Sequence, residues 1–499
     1  MPAEPPSSLR RVPARSLPRQ RRRVPAPARR LHYWRRLLPA LGLLALVTRL
    51  PSFGHRLWSP DEGYLAVQAR ILADGGALYE TVVDRKPPLL PLLYEMLFAL
   101  FGDGSLRSVR VLAVLAQLVT AALLASIARR RWGDRAGRTA GVLYLLVSIG
   151  LNPEDAQAAT FEVFILPFTA AAVRYADRGR WGAAGVAVAG AFLTKQTGGA
   201  VLGPVLWLLW QTAPVHRSAL LRTALGFALP VLAAALLTDP SGFLFWTVTG
   251  SGAYASFTGS ELHVLSRAVA NTALLGVACA GLVPPVVRVL RSARTGVGDL
   301  WLWLASSAAA VLLGFHFFGH YYLQLIPPLA LLATGALQIL PRHRLASALL
   351  WSACGCALFL LWGTLTPRPE LAHAQRLATA VQARTGPAES VLVWGIHPET
   401  YWLADRPPAS RFLTAGLLTN YSGGRNGPQV GEKYGVDGAW PTFADEMRTH
   451  PPALIVDDSR GKPFAPERVP TLRRLLERHY EPLPDEIDGA VLYVRSSGG

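Results

Sequence analysis

Apolar runs of 13 to 21 residues, separated by short polar stretches, recur along the first three quarters of the chain, at 37–51, 109–128, 138–152, 159–173, 181–194, 200–212, 219–237, 268–287, 300–318, 323–340 and 345–365. A membrane helix needs about 20 apolar residues, fewer with a thinned bilayer. The pattern therefore predicts an α-helical polytopic membrane protein with about 11 transmembrane helices. A further piece, Pro87 to Phe101, is read as a helix lying in or dipping into the outer leaflet, with a tilted span as the alternative. After Pro367 the pattern changes. Short alternating stretches at Ser390–Gly395, Ala453–Asp457 and Ala490–Val494 read as strands, and 371–384 and 466–479 as helices, which predicts a C-terminal α/β domain over 367–499.

Charge fixes the orientation. Counting the runs as alternating spans puts Arg129–Arg131, Arg174, Arg178, Arg180, Arg217, Arg222, Arg288, Arg291, Arg294, Arg342 and Arg344 all on one side, and basic loops mark the cytoplasm. The proline-laced basic tail 1–36 is then cytoplasmic and disordered, 37–366 is the membrane domain, and 367–499 is extracytoplasmic. The outer loops become 52–108, 152–158 and 238–266. Only 16% of residues are charged, against about 25% in soluble domains. The net charge of +18 sits in clusters flanking apolar runs, which is the signature of membrane edges and not of nucleic-acid binding. Cys279, Cys354 and Cys356 all fall inside apolar runs, which excludes a disulfide framework and a zinc knuckle.

That topology brings polar residues from five separate segments to the outer membrane face: Asp61, Glu62, Asp84, Lys86, Glu154, Asp155, Glu162, Lys195, Gln196, His316, His320, Tyr321 and Tyr322. Trp58-Ser59-Pro60-Asp61-Glu62-Gly63-Tyr64 alone also reads as a capped helix start on a solvated loop, with Ser59 as the cap. Glu162 and Lys195 resist that reading, because each borders an apolar run and is costly in lipid unless paired or facing a watered cavity. Lys86 and Lys195, helped by His320 and a tyrosine, suit a lipid-linked phosphate; a single carboxylate suits an acceptor hydroxyl that attacks a sugar whose phosphate leaves as an anion. His316 and His320 are spaced four apart at the outer end of a helix, as ligands on one face would be, although three phenylalanines around them also fit packing. Trp394 and His397-Pro398-Glu399 read as core and turn.

These features in order, the Asp61-Glu62 pair, Lys86-Pro87-Pro88, Glu162, Lys195 with Gly198, and His320-Tyr321-Tyr322-Leu323 leading to Pro327-Pro328-Leu329, resemble the GT-C membrane glycosyltransferases. They are most similar to the bacterial group that resembles protein O-mannosyltransferases and aminoarabinose transferases. The resemblance covers roughly residues 37–340. It implies a bacterial inner-membrane enzyme, the donor a polyprenyl-phosphate sugar, the acceptor a cell-envelope glycolipid, glycan or protein, and no required cofactor. Asp61 would be the catalytic base, Glu62 would help to orient it or the acceptor, and Glu162 would be the acidic residue of the second loop. Lys86 and Lys195 would hold the donor phosphate. The chain departs from the pattern at two points: Asp155 is an alternative occupant of the Glu162 role, and Lys195 is followed by Gln196-Thr197-Gly198 where Lys-Gly-Pro is commoner. A divalent metal near the acids stays open. The competing reading is a transporter or flippase of a lipid-linked precursor, which would place ionisable groups near the midplane and show repeated halves; no repeat is present.

Overall fold

A computed structural model describes residues 27–212, 217–251, 260–292, 296–313, 315–421 and 427–496. Residues 1–26 of the expected basic tail and 252–259 of the third outer loop lie outside them. The first helix runs Pro27–Val47, so residues 27–36 are helical and not part of a disordered tail. Proline is favoured at a helix start, and the Arg129 guanidinium lies 4.0 Å over the Tyr33 ring, which holds the early turns against the Arg107–Trp132 helix.

Every apolar run contains helix, and several of those helices are shorter or more broken than straight spans. Among the described residues, three helices are long and apolar enough to cross a membrane: Arg107–Trp132, Arg217–Leu237 and the one that starts at Arg342. Arg217–Leu237 buries only Ala219 and Thr223 and exposes Leu220, Leu221, Leu225, Leu229, Leu232 and Leu236, a surface that belongs in lipid. Leu89–Phe101, Trp181–Thr194 and Gly298–Leu312 are apolar but shorter. The run 200–212 starts inside a 3-10 helix, Gln196–Val201, and 323–340 inside another, Gly319–Leu325. Lys195 and His320 sit at these two breaks.

The C-terminal segment carries a four-stranded sheet in the order β1-β2-β4-β3, with β1 Val391–Trp394, β2 Leu454–Asp457, β3 Tyr480–Pro482 and β4 Val491–Arg495. β1 and β2 are parallel and buried at every position; β4 runs antiparallel to both β2 and β3. The segment is bolted onto the loops that carry Trp58 and Asp103. The Arg368 guanidinium lies 3.3 Å over the Trp58 ring and donates to the Trp58 carbonyl at 2.6 Å. Arg70 pairs with both Asp103 and Asp405, and Trp402 Nε1 donates to the Asp103 carbonyl at 3.1 Å.

At the end of the Arg107–Trp132 helix, Arg131 forms a bidentate pair with the buried Asp299 at 3.1 and 2.6 Å and also reaches Asp177 at 3.1 Å. One guanidinium thus ties together three helices, and removing it strands a buried carboxylate. Arg131→Met should destabilise the fold by about 3 kcal/mol. A combined Arg131→Met/Asp299→Leu variant should recover most of that, both read as apparent melting temperatures in detergent.

Candidate active site

The loop Leu57–Pro60 gives the site its first carboxylate. Ser59 is extended and its hydroxyl accepts from the Asp61 amide at 3.3 Å, while Pro60 starts the Pro60–Ala73 helix, so Asp61 sits in the first turn. The helix lies so close to the C-terminal segment that a Cβ on Gly63 would stand 2.3 Å from the Glu399 Cβ. Only glycine lets the two elements touch there. The Asp61 carboxylate makes no hydrogen bond among the described residues and faces a cavity of about 350 Å³.

Lys86 is brought to the same cavity by bonds to its backbone neighbourhood. Gln196 Nε2 donates to the Arg85 carbonyl at 2.6 Å and to the Thr247 carbonyl at 3.0 Å, and the Tyr79 hydroxyl donates to the Lys86 carbonyl at 2.9 Å. Asp84 accepts from Gln68 Nε2 at 3.1 Å. Opposite, Asn152 caps the short helix Pro153–Ala156, and Asp155 Oδ1 bonds His320 Nδ1 at 2.6 Å. A Cβ on Gly319 would lie 2.5 Å from Asp155 Oδ2, so glycine is what lets the aspartate reach the histidine. Lys195, at the extended end of the Trp181–Thr194 helix, forms a buried ion pair with Glu162, and its ammonium lies 3.9 Å over the Tyr321 ring. His320 Nε2 is 4.0 Å from the same Glu162 carboxylate.

Asp61, Asp84, Lys86, Asp155, Lys195, His320 and Tyr321 all line the cavity. Glu62, Glu162 and Gln196 do not. Glu62 is fully buried against Arg110, Glu162 stands behind Lys195, and Gln196 acts on backbone carbonyls. His316 and His320 do not share a helix. The preceding helix ends at Leu312, Phe315 and Phe317 have φ of 55° and 49°, and the Phe318 ring stacks on both imidazoles. The run of aromatics hid this irregular backbone. Pro398, read as a turn, lines the cavity together with Ile396, Thr414 and Leu417. Nothing in their local sequence distinguishes these four from core residues, because their role comes from how the C-terminal segment docks.

Burial holds the Asp61 carboxyl above its ordinary value; His320 and Lys195 oppose the shift, and Glu162 and Asp155 add to it. Burial opposes the charge on His320, but Glu162 and Asp155 outweigh it and hold the imidazole above its usual value. Among the described residues, no three His, Cys, Asp or Glu side chains converge as metal ligands.

The chain resembles the GT-C superfamily of integral membrane glycosyltransferases, as its motifs implied. A family model described as dolichyl-phosphate-mannose-protein mannosyltransferase matches residues 85–239, which include Lys86, Asp155, Glu162 and Lys195. The whole fold is similar to that of ArnT from Cupriavidus metallidurans bound to undecaprenyl phosphate, with a TM-score of 0.61 and 16% identity over 93% of this chain and 98% of that one. The apo state of the same protein gives a TM-score of 0.60 at 17% identity, over 94% and 99%. The archaeal oligosaccharyltransferase AglB from Archaeoglobus fulgidus, in complex with an inhibitory peptide and a dolichol-phosphate, gives 0.51 at 13% identity, over 95% of this chain and 75% of that one. No curated protein sequence matches the chain.

A histidine whose folded pKa is raised stabilises the fold while it is protonated. That contribution is complete below the unfolded value of 6.5 and is lost as the pH rises through the folded value. The melting temperature should therefore fall as the pH is raised from neutral toward 9, and Asp155→Asn should flatten that slope; a pH series of thermal unfolding on both proteins measures it.

Proposed function

We propose that this chain is an inverting glycosyltransferase that moves a sugar from a polyprenyl-phosphate donor to a hydroxyl, or a phosphate, of a cell-envelope acceptor at the outer face of the membrane. The observation that carries the reading is one cavity that holds an unbonded carboxylate, Asp61, together with the cations Lys86, Lys195 and His320, on a fold shared with a protein bound to undecaprenyl phosphate.

The chemistry follows from the two kinds of group. The acceptor oxygen attacks C1 of the sugar and gives its proton to Asp61. The bond from C1 to the phosphate oxygen breaks, and polyprenyl phosphate leaves with the electron pair, its charge met by Lys86, Lys195 and His320. One displacement inverts C1. Phosphate is a good leaving group, so no acid is needed on that side, unlike ordinary glycoside hydrolysis. Burial helps Asp61 by raising its pKa, which makes the carboxylate a stronger base. Glu162 neutralises Lys195 until the donor arrives, and Tyr321 shields the ammonium. Asp155, bonded to His320, takes the part of the second-loop acid by fixing the imidazole toward the leaving phosphate. Tyr321, Phe161 and Phe318 add an aromatic part to the wall.

Asp61→Asn should lower transfer from a lipid-phosphate sugar by at least about 10³-fold, at the upper end of what a general base contributes together with its lost charge. It should still bind undecaprenyl phosphate and remain folded and membrane-inserted. Transfer at wild-type rate would remove Asp61 from the role. In the wild type, kcat/KM should rise with pH along an acid limb that lies above the ordinary carboxylate value of 3.8, because only ionised Asp61 accepts the proton.

A further inference from the structure

Glu62 follows the proposed base directly, yet its carboxylate points the other way, into the protein. Glu62 is 0% exposed and Arg110 2%. Arg110 Nη2 donates to Glu62 Oε2 at 2.7 Å and Nε to Oε1 at 3.4 Å. The same carboxylate accepts the Trp58 amide at 3.2 Å and the Ala159 amide at 2.8 Å. Arg110 also donates to the carbonyls of Ser52 at 2.5 Å, His55 at 2.6 Å and Arg56 at 3.4 Å. One buried pair therefore holds four pieces of chain: the 52–58 loop, the Pro60–Ala73 helix, the Arg107–Trp132 helix and the turn at Ala159.

Those pieces are the ones that carry the reacting groups. Successive residues on a helix point about 100° apart, so anchoring Glu62 inward fixes the rotation that leaves Asp61 facing the cavity. Ala159 lies three residues before Glu162, which holds Lys195. Trp58, bonded through its amide to Glu62, donates its indole N–H to the Pro153 carbonyl at 2.8 Å, at the start of the turn that carries Asp155 and, through it, His320. We infer that Glu62 and Arg110 are positioning residues: a buried ion pair that sets the distance and direction between the base Asp61 and the cations of the phosphate side, without touching either substrate. The inference rests on the transferase reading and adds to it the element that keeps its two halves in register. An acidic neighbour that helped deprotonate the acceptor would have to line the cavity, and Glu62 does not.

The test uses the full chain in detergent as wild type, Glu62→Gln, and the double variant Glu62→Leu/Arg110→Met, which removes both charges together and so leaves no stranded ion. Three quantities are read: amide hydrogen exchange of peptides spanning 52–58 and 153–162, binding of undecaprenyl phosphate, and turnover of a polyprenyl-phosphate sugar with envelope membranes as acceptor. Both variants should exchange these peptides at least about tenfold faster. They should bind undecaprenyl phosphate within about threefold of wild type. Turnover should fall about 100-fold, the cost of an ångström-scale misplacement, with the donor KM unchanged and the acid limb of the pH profile still in place. Unchanged exchange in these peptides overturns the inference. So does loss of lipid binding in parallel with turnover, which would make Glu62 a donor contact, and so does disappearance of the acid limb in Glu62→Gln, which would make it the base. A wild type inert toward every lipid-phosphate sugar refutes the transferase reading instead, and the exchange difference then still decides whether the pair holds these segments.

Discussion

A lysine and a glutamate buried side by side, Lys195 and Glu162, set the terms for the rest of the site. Neither ion is tolerable alone where they lie, 4% and 0% exposed between apolar helices. Desolvating each costs several kcal/mol, and only a close partner with further polar contacts offsets it. The pair therefore requires that the start of the Phe161–Ala176 helix meet the end of the Trp181–Thr194 helix, and that the chain break into a 3-10 turn directly after Lys195. It also leaves the cavity an electrostatic asymmetry. Lys195 is held by Glu162, so an incoming anion must compete with that carboxylate for the lysine, while Arg85, Lys86 and His320 line the cavity beside it.

Much of this was legible in the sequence because it obeys local rules. The capped start at Ser59-Pro60-Asp61 can be read from residue types alone, and the cost of an isolated charge in lipid is what singles out Glu162 and Lys195. What was not legible depends on direction. Asp61 and Glu62 are adjacent and chemically alike, and only the partner arginine, 48 positions on, decides which faces the cavity. The i, i+4 spacing of His316 and His320 suggested one helical face, but two positive φ angles put them on an irregular turn. The wall formed by Ile396, Pro398, Thr414 and Leu417 comes from docking a sheet-bearing segment onto outer loops hundreds of residues away, and no local pattern encodes that.

Helix breaks explain why so few helices are long enough to span. A straight apolar helix presents only its own side chains and satisfies all its backbone groups internally, which suits lipid but offers no place for a polar group to enter. Where Gln196–Val201 and Gly319–Leu325 replace regular helix, the backbone turns away from the lipid-facing direction and side chains from opposite ends of the chain can meet. The cost is irregular backbone between apolar helices. It is tolerable only because it lines a protein-walled cavity and is tied down, by Asn271 to the Phe317 carbonyl at 2.9 Å and by Arg267 to the His316 carbonyl at 3.0 Å.

The same geometry bears on the order of events at the cavity. Displacement with inversion needs the nucleophile and the leaving phosphate on opposite sides of one carbon, so base and cations cannot be neighbours on a single element. In the proposed reaction the base, Asp61, would come from the first turn of Pro60–Ala73, while Lys195 and His320 come from breaks in two helices much later in the chain. The wall contributed by the C-terminal segment is uncharged, Ile396, Pro398, Thr414 and Leu417, and it adjoins the helix of Asp61 through the contact at Gly63. A phosphate has no reason to settle against that wall. In the proposed reaction an acceptor lying along it would be held next to the helix that carries Asp61, on a part of the cavity wall that offers a phosphate no charge.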